Sequence, residues 1–82
     1  MSEVDVAART YQIVAAVLNV DAAALDRSSS PDTILTWDSL RHVQLVLAIE
    51  ESFGIQFAVE DIDGMGTVGA VVDAVQRKTP DA

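Results

Sequence analysis

Two short stretches of this sequence carry side chains at spacings that suit chemistry. The first is Asp38-Ser39-Leu40-Arg41-His42. Ser39 and the chain's one histidine, His42, lie three apart, the separation at which side chains become neighbours on a helix. A hydroxyl beside an imidazole is the start of a nucleophile and base. The rest of a hydrolase is lacking. There is no Gly-x-Ser-x-Gly turn, and 82 residues are too few to wrap an oxyanion hole and a substrate cleft around the pair. The expectation is a protein that is not an enzyme and has no catalytic residue. His42 is then a surface or loop contact, or a residue of partner selectivity. The second stretch, Asp61 to Val68, imitates the opening of a calcium loop: acids stand at its first and third places, glycine at the sixth and an apolar residue at the eighth. Met65 and Gly69 occupy the fifth and ninth places, and Val72 the twelfth, where a bidentate Glu is required. The expectation is a capped turn and no metal site, beyond weak cation attraction to Glu60, Asp61 and Asp63.

Composition narrows the partners. With 13 acidic and 5 basic residues the formal charge is -8. Such a chain repels nucleic acid phosphates and anionic lipid, and attracts basic protein surfaces. Without cysteine there is no disulfide, no zinc-thiolate site and no thiol nucleophile. Apolar runs such as Leu45 to Ile49 are far shorter than a membrane span. The start, Met1 to Asp5, lacks a basic n-region and an apolar h-region. These features lead to the expectation of one cytoplasmic domain over residues 1–82, neither bound to nucleic acid nor inserted in a membrane, and, for want of a second large apolar face, monomeric.

The elements that position the first stretch follow from periodicity. Val6, Ile13, Val17 and Val20, broadened by Tyr11, Val14 and Leu18, predict a helix from about Glu3 to Leu18, with Ser2, Glu3 and Asp5 at its start. Residues 19–38 read as a long connection holding at most one helical turn, at Asp21 to Leu25, and pinned by Val20, Leu25, Ile34 and Leu35. A second helix begins at Asp38 or Ser39, both good caps, and stops at Phe53-Gly54. A short turn at Val59 to Ile62 precedes a last helix, capped by Thr67, from Val68 to Arg77, with Pro80 closing the chain. No segment has the alternation of a strand. The fold class is therefore all-α: a small antiparallel helical bundle of three main helices plus one short one, with a long loop after the first helix.

On a wheel of about 100° per residue, the second helix has an apolar arc about 220° wide, roughly twice what a core-facing helix needs. Glu50 falls inside that arc, and burying it unpaired costs several kcal/mol. The arc therefore splits. Leu45, Ile49 and Phe53 turn to the core, while Leu40, Val43 and Leu47 form a semi-exposed strip beside Ser39 and a wet Glu50. Such a strip on an acidic protein suits a basic docking partner. A small acidic adaptor, binding proteins through Leu40, Val43 and Leu47 without modification, is one function that fits.

A more specific one comes from likeness. Asp38-Ser39-Leu40, then Val43, Leu45, Val46, Ala48, Glu50-Glu51 and Phe53-Gly54-Ile55, resembles the second-helix signature of the acyl carrier proteins. The length, the acidity, the long first loop and the Thr67-Val68 start of the last helix are similar too. The resemblance implies that Ser39 is the attachment site of 4'-phosphopantetheine, taken from coenzyme A by a phosphopantetheinyl transferase, with Asp38 helping to present it. It implies a carrier that holds acyl intermediates as thioesters and shuttles them between enzymes of a fatty-acid, polyketide-like or specialised acyl-transfer pathway. Leu40, Arg41, Val43, Leu47, Glu50 and Glu51 would then meet basic docking surfaces of the loading and transferring enzymes. Leu45, Ile49, Phe53, Ile55, Ile62, Met65 and Val71 would line an acyl pocket, or serve as plain core. The chain departs from the family's fatty acid synthesis members at Arg41, His42 and Gln44, which replace acids, and at Thr36-Trp37 before the Asp. That points to a specialised pathway, with an aminoacyl cargo as a variant.

Overall fold

In the computed structural model, which describes residues 2–79, the chain forms four α-helices: α1 (Glu3–Leu18), α2 (Ser39–Phe53), α3 (Val59–Asp63) and α4 (Val68–Lys78). One 3-10 turn, Ala22–Ala24, interrupts the loop between α1 and α2. Among the described residues there is no strand. Pro80, expected to close the chain, lies outside the described residues, as does Met1.

The three long helices each start where the sequence supplies an acceptor for an orphan amide. Ser2 Oγ accepts from the Asp5 N–H, Asp38 Oδ1 from the Arg41 N–H, and Thr67 Oγ1 from the Ala70 N–H. α1 stops at Asn19 and α2 at Gly54, both in the left-handed conformation (φ 57° and 65°). α1 packs against α2 and α4. Its deepest line is Val6, Thr10, Val14 and Leu18, all fully buried, with Ile13 and Val17 to one side. Thr10 was not an expected core residue. Its hydroxyl donates to the Val6 carbonyl at 2.7 Å, so the helix itself satisfies the polar atom and the methyl packs as an apolar one.

The long loop, residues 19–38, is tied down at both ends and in the middle. Leu25 and Trp37 are buried in the core. The Val68 N–H donates to the Ser29 carbonyl at 2.9 Å, and the Gly69 N–H to the Arg27 carbonyl at 3.0 Å. Thus the loop backbone takes two of the orphan amides of α4. Arg27 also pairs with Asp73 at 2.9 Å. Of the four expected anchors, Val20, Leu25 and Ile34 hold, but Leu35 is corrected: it is 94% exposed. The turn in which the Trp37 N–H donates to the Ile34 carbonyl puts Ile34 and Trp37 inside and Leu35 outside.

Gly69 is the tightest point of this tie. A Cβ there would lie 3.0 Å from the Arg27 carbonyl oxygen, a backbone atom held by the very hydrogen bond Gly69 makes. Gly69→Ala is expected to lose about 1–2 kcal/mol by overpacking, despite alanine's better helix propensity. A lower urea midpoint would show this; a raised one would mean that the loop yields.

Two carboxylates tune stability with pH. Hydrogen bonds from Ser28, the hydroxyl first, hold the Asp26 carboxyl below its ordinary range. The Ala58 N–H does the same for Asp61, helped by Lys78 and Arg77. With folded values depressed, each contributes stability that is complete above the unfolded carboxylate range, about pH 4, and lost as pH falls through the folded value. Urea midpoints at pH 6, 4 and 3 should therefore fall with acidity. The fall should be shallower in the double variant Asp26→Asn, Asp61→Asn.

Candidate functional site

Ser39 is the first residue of α2. The cap before it is Asp38, which resolves the sequence's ambiguity between the two. Ser39 is exposed, and its hydroxyl makes no hydrogen bond among the described residues. Beside it opens a groove of about 480 Å³, lined by Pro31, Trp37, Asp38, Ser39, His42, Ile62, Asp63 and Met65. The long loop, α2 and the α3 region thus meet around the start of α2. A second hollow of about 220 Å³ lies between α2 and α3, against His42, Val43, Val46, Leu47, Glu50 and Ile62. His42 and Ile62 border both.

Trp37 and His42 form a pair that the sequence did not reveal. The indole Nε1–H donates to His42 Nδ1 at 3.0 Å, and the rings lie 6.0 Å apart at 22°. Trp37 is 3% exposed and His42 half-buried. His42 is thus the loop contact that was expected, but one with a defined face: Nδ1 is an acceptor, so in the neutral ring Nε2 carries the proton. The only hint in the sequence was the five-residue spacing across a helix start.

The split of the α2 arc holds. Leu45 and Ile49 are fully buried and Phe53 partly so, with Val46 buried beside them, while Leu40, Val43 and Leu47 are 66%, 56% and 58% exposed. The polar residues expected beside the strip behave differently. Arg41 reaches across to α1, where Nη1 donates to the Val17 carbonyl at 2.9 Å. Having no basic residue in its own last turn, α1 receives a cation from α2 at its negative end. Thr36 joins it there through a hydrogen bond to the Leu18 carbonyl. Glu50, expected to be wet, is half-buried, and its Oε2 accepts from the Phe57 N–H at 2.8 Å. That charge-assisted bond offsets the desolvation which led to the opposite expectation. Glu51 is exposed.

Of the residues expected at an acyl pocket, Ile62 borders both hollows and Met65 the first. Leu45, Ile49 and Val71 are fully buried core residues and line neither. Phe53 and Ile55 pack at the margin of the core, Phe53 under the Arg9 guanidinium at 5.3 Å. The calcium-like stretch forms the capped turn that was expected: residues 64–67 join α3 to α4, and Thr67 caps α4. Val68 and Val72 lie buried in α4, so the places of the eighth and twelfth residues of such a loop are taken by core residues. Asp61 is taken by the Ala58 N–H and by Lys78 and Arg77, at 3.3 and 3.7 Å. Among the described residues no three acids or histidines gather to hold a metal.

Comparison with known proteins gives this geometry its context. Residues 8–75 match the family model described as the phosphopantetheine attachment site. The solution structure of the holo acyl carrier protein from Geobacter metallireducens superposes with a TM-score of 0.79 at 30% sequence identity, over 88% of this chain and 83% of that one. Among the described residues no helix is long and apolar enough to cross a membrane.

Proposed function

The chain belongs to the phosphopantetheine attachment family, as an acyl-carrier-type protein, and on that premise we propose that Ser39 bears the prosthetic arm and that the protein ferries acyl groups between enzymes. The family's cofactor is covalently attached 4'-phosphopantetheine, and its members carry rather than catalyse.

One observation carries the assignment to Ser39. Capping of α2 is done by Asp38, which leaves the Ser39 hydroxyl exposed, uncommitted and at the rim of a groove. The residues present fit the group. The apolar sides of Trp37, Ile62 and Met65 suit the hydrocarbon of the arm, and polar edges in the same groove suit its amides. The positive end of α2 favours the phosphodiester. When bound, the group supplies a terminal thiol for thioester exchange, which a cysteine-free chain lacks.

Leu40, Val43 and Leu47 give partner enzymes an apolar strip in an acidic surface, with Glu51 and Asp38 at its edges. Arg41 and Glu50 serve this face indirectly, by fixing the two ends of α2 to α1 and to the Phe57 backbone. The neutral Gln44, with Arg41 and His42 after Ser39, supports partners other than those of ordinary fatty acid synthesis, in a polyketide-like or other specialised acyl-transfer pathway. The test is intact mass after incubation with coenzyme A, magnesium and a broad-specificity phosphopantetheinyl transferase. A gain of one phosphopantetheine is expected. A folded protein left unmodified by several such enzymes would return the function to an unmodified adaptor.

A further inference from the structure

The groove beside Ser39 has an unusual balance of donors. Its ionisable carboxylates, Asp38 and Asp63, oppose an anion. Its indole N–H is already given to His42. Its serine hydroxyl is the atom that modification would consume. What remains among the lining side chains is the imidazole of His42. Because Nδ1 accepts from Trp37, the ring is held in orientation, and its neutral form must carry a proton on Nε2. Among the described residues Nε2 has no partner of its own. His42 stands three residues after Ser39 on α2, so their Cβ atoms are neighbours at about 5–6 Å.

The geometry points to His42 as a positioning residue for the prosthetic arm: fixed by Trp37, it donates from Nε2–H to the phosphodiester on Ser39 and biases the arm toward the groove between the long loop and α3. This rests on Ser39 carrying the arm. Donation to an anion is stronger than to a neutral acceptor, and a preset ring loses little freedom in making it. The groups facing His42 are few: Trp37 from the loop, Asp38 and Ser39 at the helix start, Glu50 on α2, and Ile62 with Asp63 from α3. Glu50 is engaged by the Phe57 N–H. His42 also borders the second hollow. One ring therefore stands between the two spaces open to a tethered cargo.

The chain has one histidine, which makes the test clean. A phosphodiester does not itself titrate near neutrality, carboxylates ordinarily do so near pH 4 and the terminal amine near pH 8, so a phosphorus-31 shift followed from pH 5 to 7, with His42→Gln as the control, reports the imidazole. In the modified protein, first verified by mass, the phosphorus resonance is expected to step with the same midpoint as the His42 ring protons. The step should vanish in His42→Gln. It should persist, reduced, in Trp37→Phe, which keeps an aromatic wall but not the N–H. A flat phosphorus resonance while His42 titrates would overturn the inference, even with Ser39 modified. A step that survives in His42→Gln would also overturn it. Complete loss of the step in Trp37→Phe would trace it to the indole contact, and overturn it too. If no phosphopantetheine is added at all, the mass measurement shows that the carrier reading itself has failed, and the inference falls with it.

Discussion

Ser39→Ala is expected to stay folded with an unchanged melting temperature and to gain no mass from coenzyme A and a phosphopantetheinyl transferase. The separation of the two readouts comes from the helix start. A serine acting as an N-cap would lose about 1 kcal/mol on truncation. Here Asp38 accepts the Arg41 N–H at 2.8 Å, and the Ser39 side chain takes no part. Alanine is moreover the best helix former, so the substitution leaves the first turn intact. Asp38→Ala should behave in the opposite way. It should lose about 1 kcal/mol, which in a domain of this size lowers the melting temperature by roughly 4–8 °C, and should still be modified, though less efficiently. Circular dichroism melts and intact mass, run on both variants, check the pair. If Ser39→Ala still gained the arm, attachment would lie elsewhere in the chain.

Trp37→Ala is expected to be the most damaging single truncation. The side chain is 3% exposed and closes the long loop onto the start of α2. Truncating a buried tryptophan costs about 3–5 kcal/mol, because transfer free energy is lost and a cavity remains. A domain of 82 residues has only about 4–12 kcal/mol in all. The melting temperature should fall by roughly 12–40 °C. The loss also leaves His42 Nδ1 without its donor and removes a wall of the groove beside Ser39. Trp37 is the only tryptophan, so the unfolding signal must be far-ultraviolet dichroism and not fluorescence. Trp37→Phe should recover most of the stability. A loss below 1 kcal/mol in Trp37→Ala would mean that the loop is held by its backbone ties to α4 rather than by this ring.

The helices were legible in the sequence because they are local. Their caps, stops and apolar periods lie within a few residues of one another, as at Ser2, Asp38, Gly54 and Thr67. The proposal for Ser39 rests on a signal of the same local kind: a short, contiguous signature surrounds it. The split of α2 followed from one charge in one arc, since Leu40, Val43 and Leu47 cannot share a face with Leu45 and Ile49 on a rigid wheel. What only the tertiary structure decided involves partners far apart in the chain or across a bend. Arg41 is bound to Val17, Glu50 to Phe57, Gly69 to Arg27, and Asp61 to Lys78. A charged side chain is long and flexible, so its spacing along the sequence does not reveal which carbonyl or amide it will reach. The direction of a loop residue such as Leu35 is likewise undetermined until the turn closes around it. The Trp37–His42 contact belongs to this second kind. It exists because an irregular loop enters α2 at one angle, and no periodicity encodes that angle.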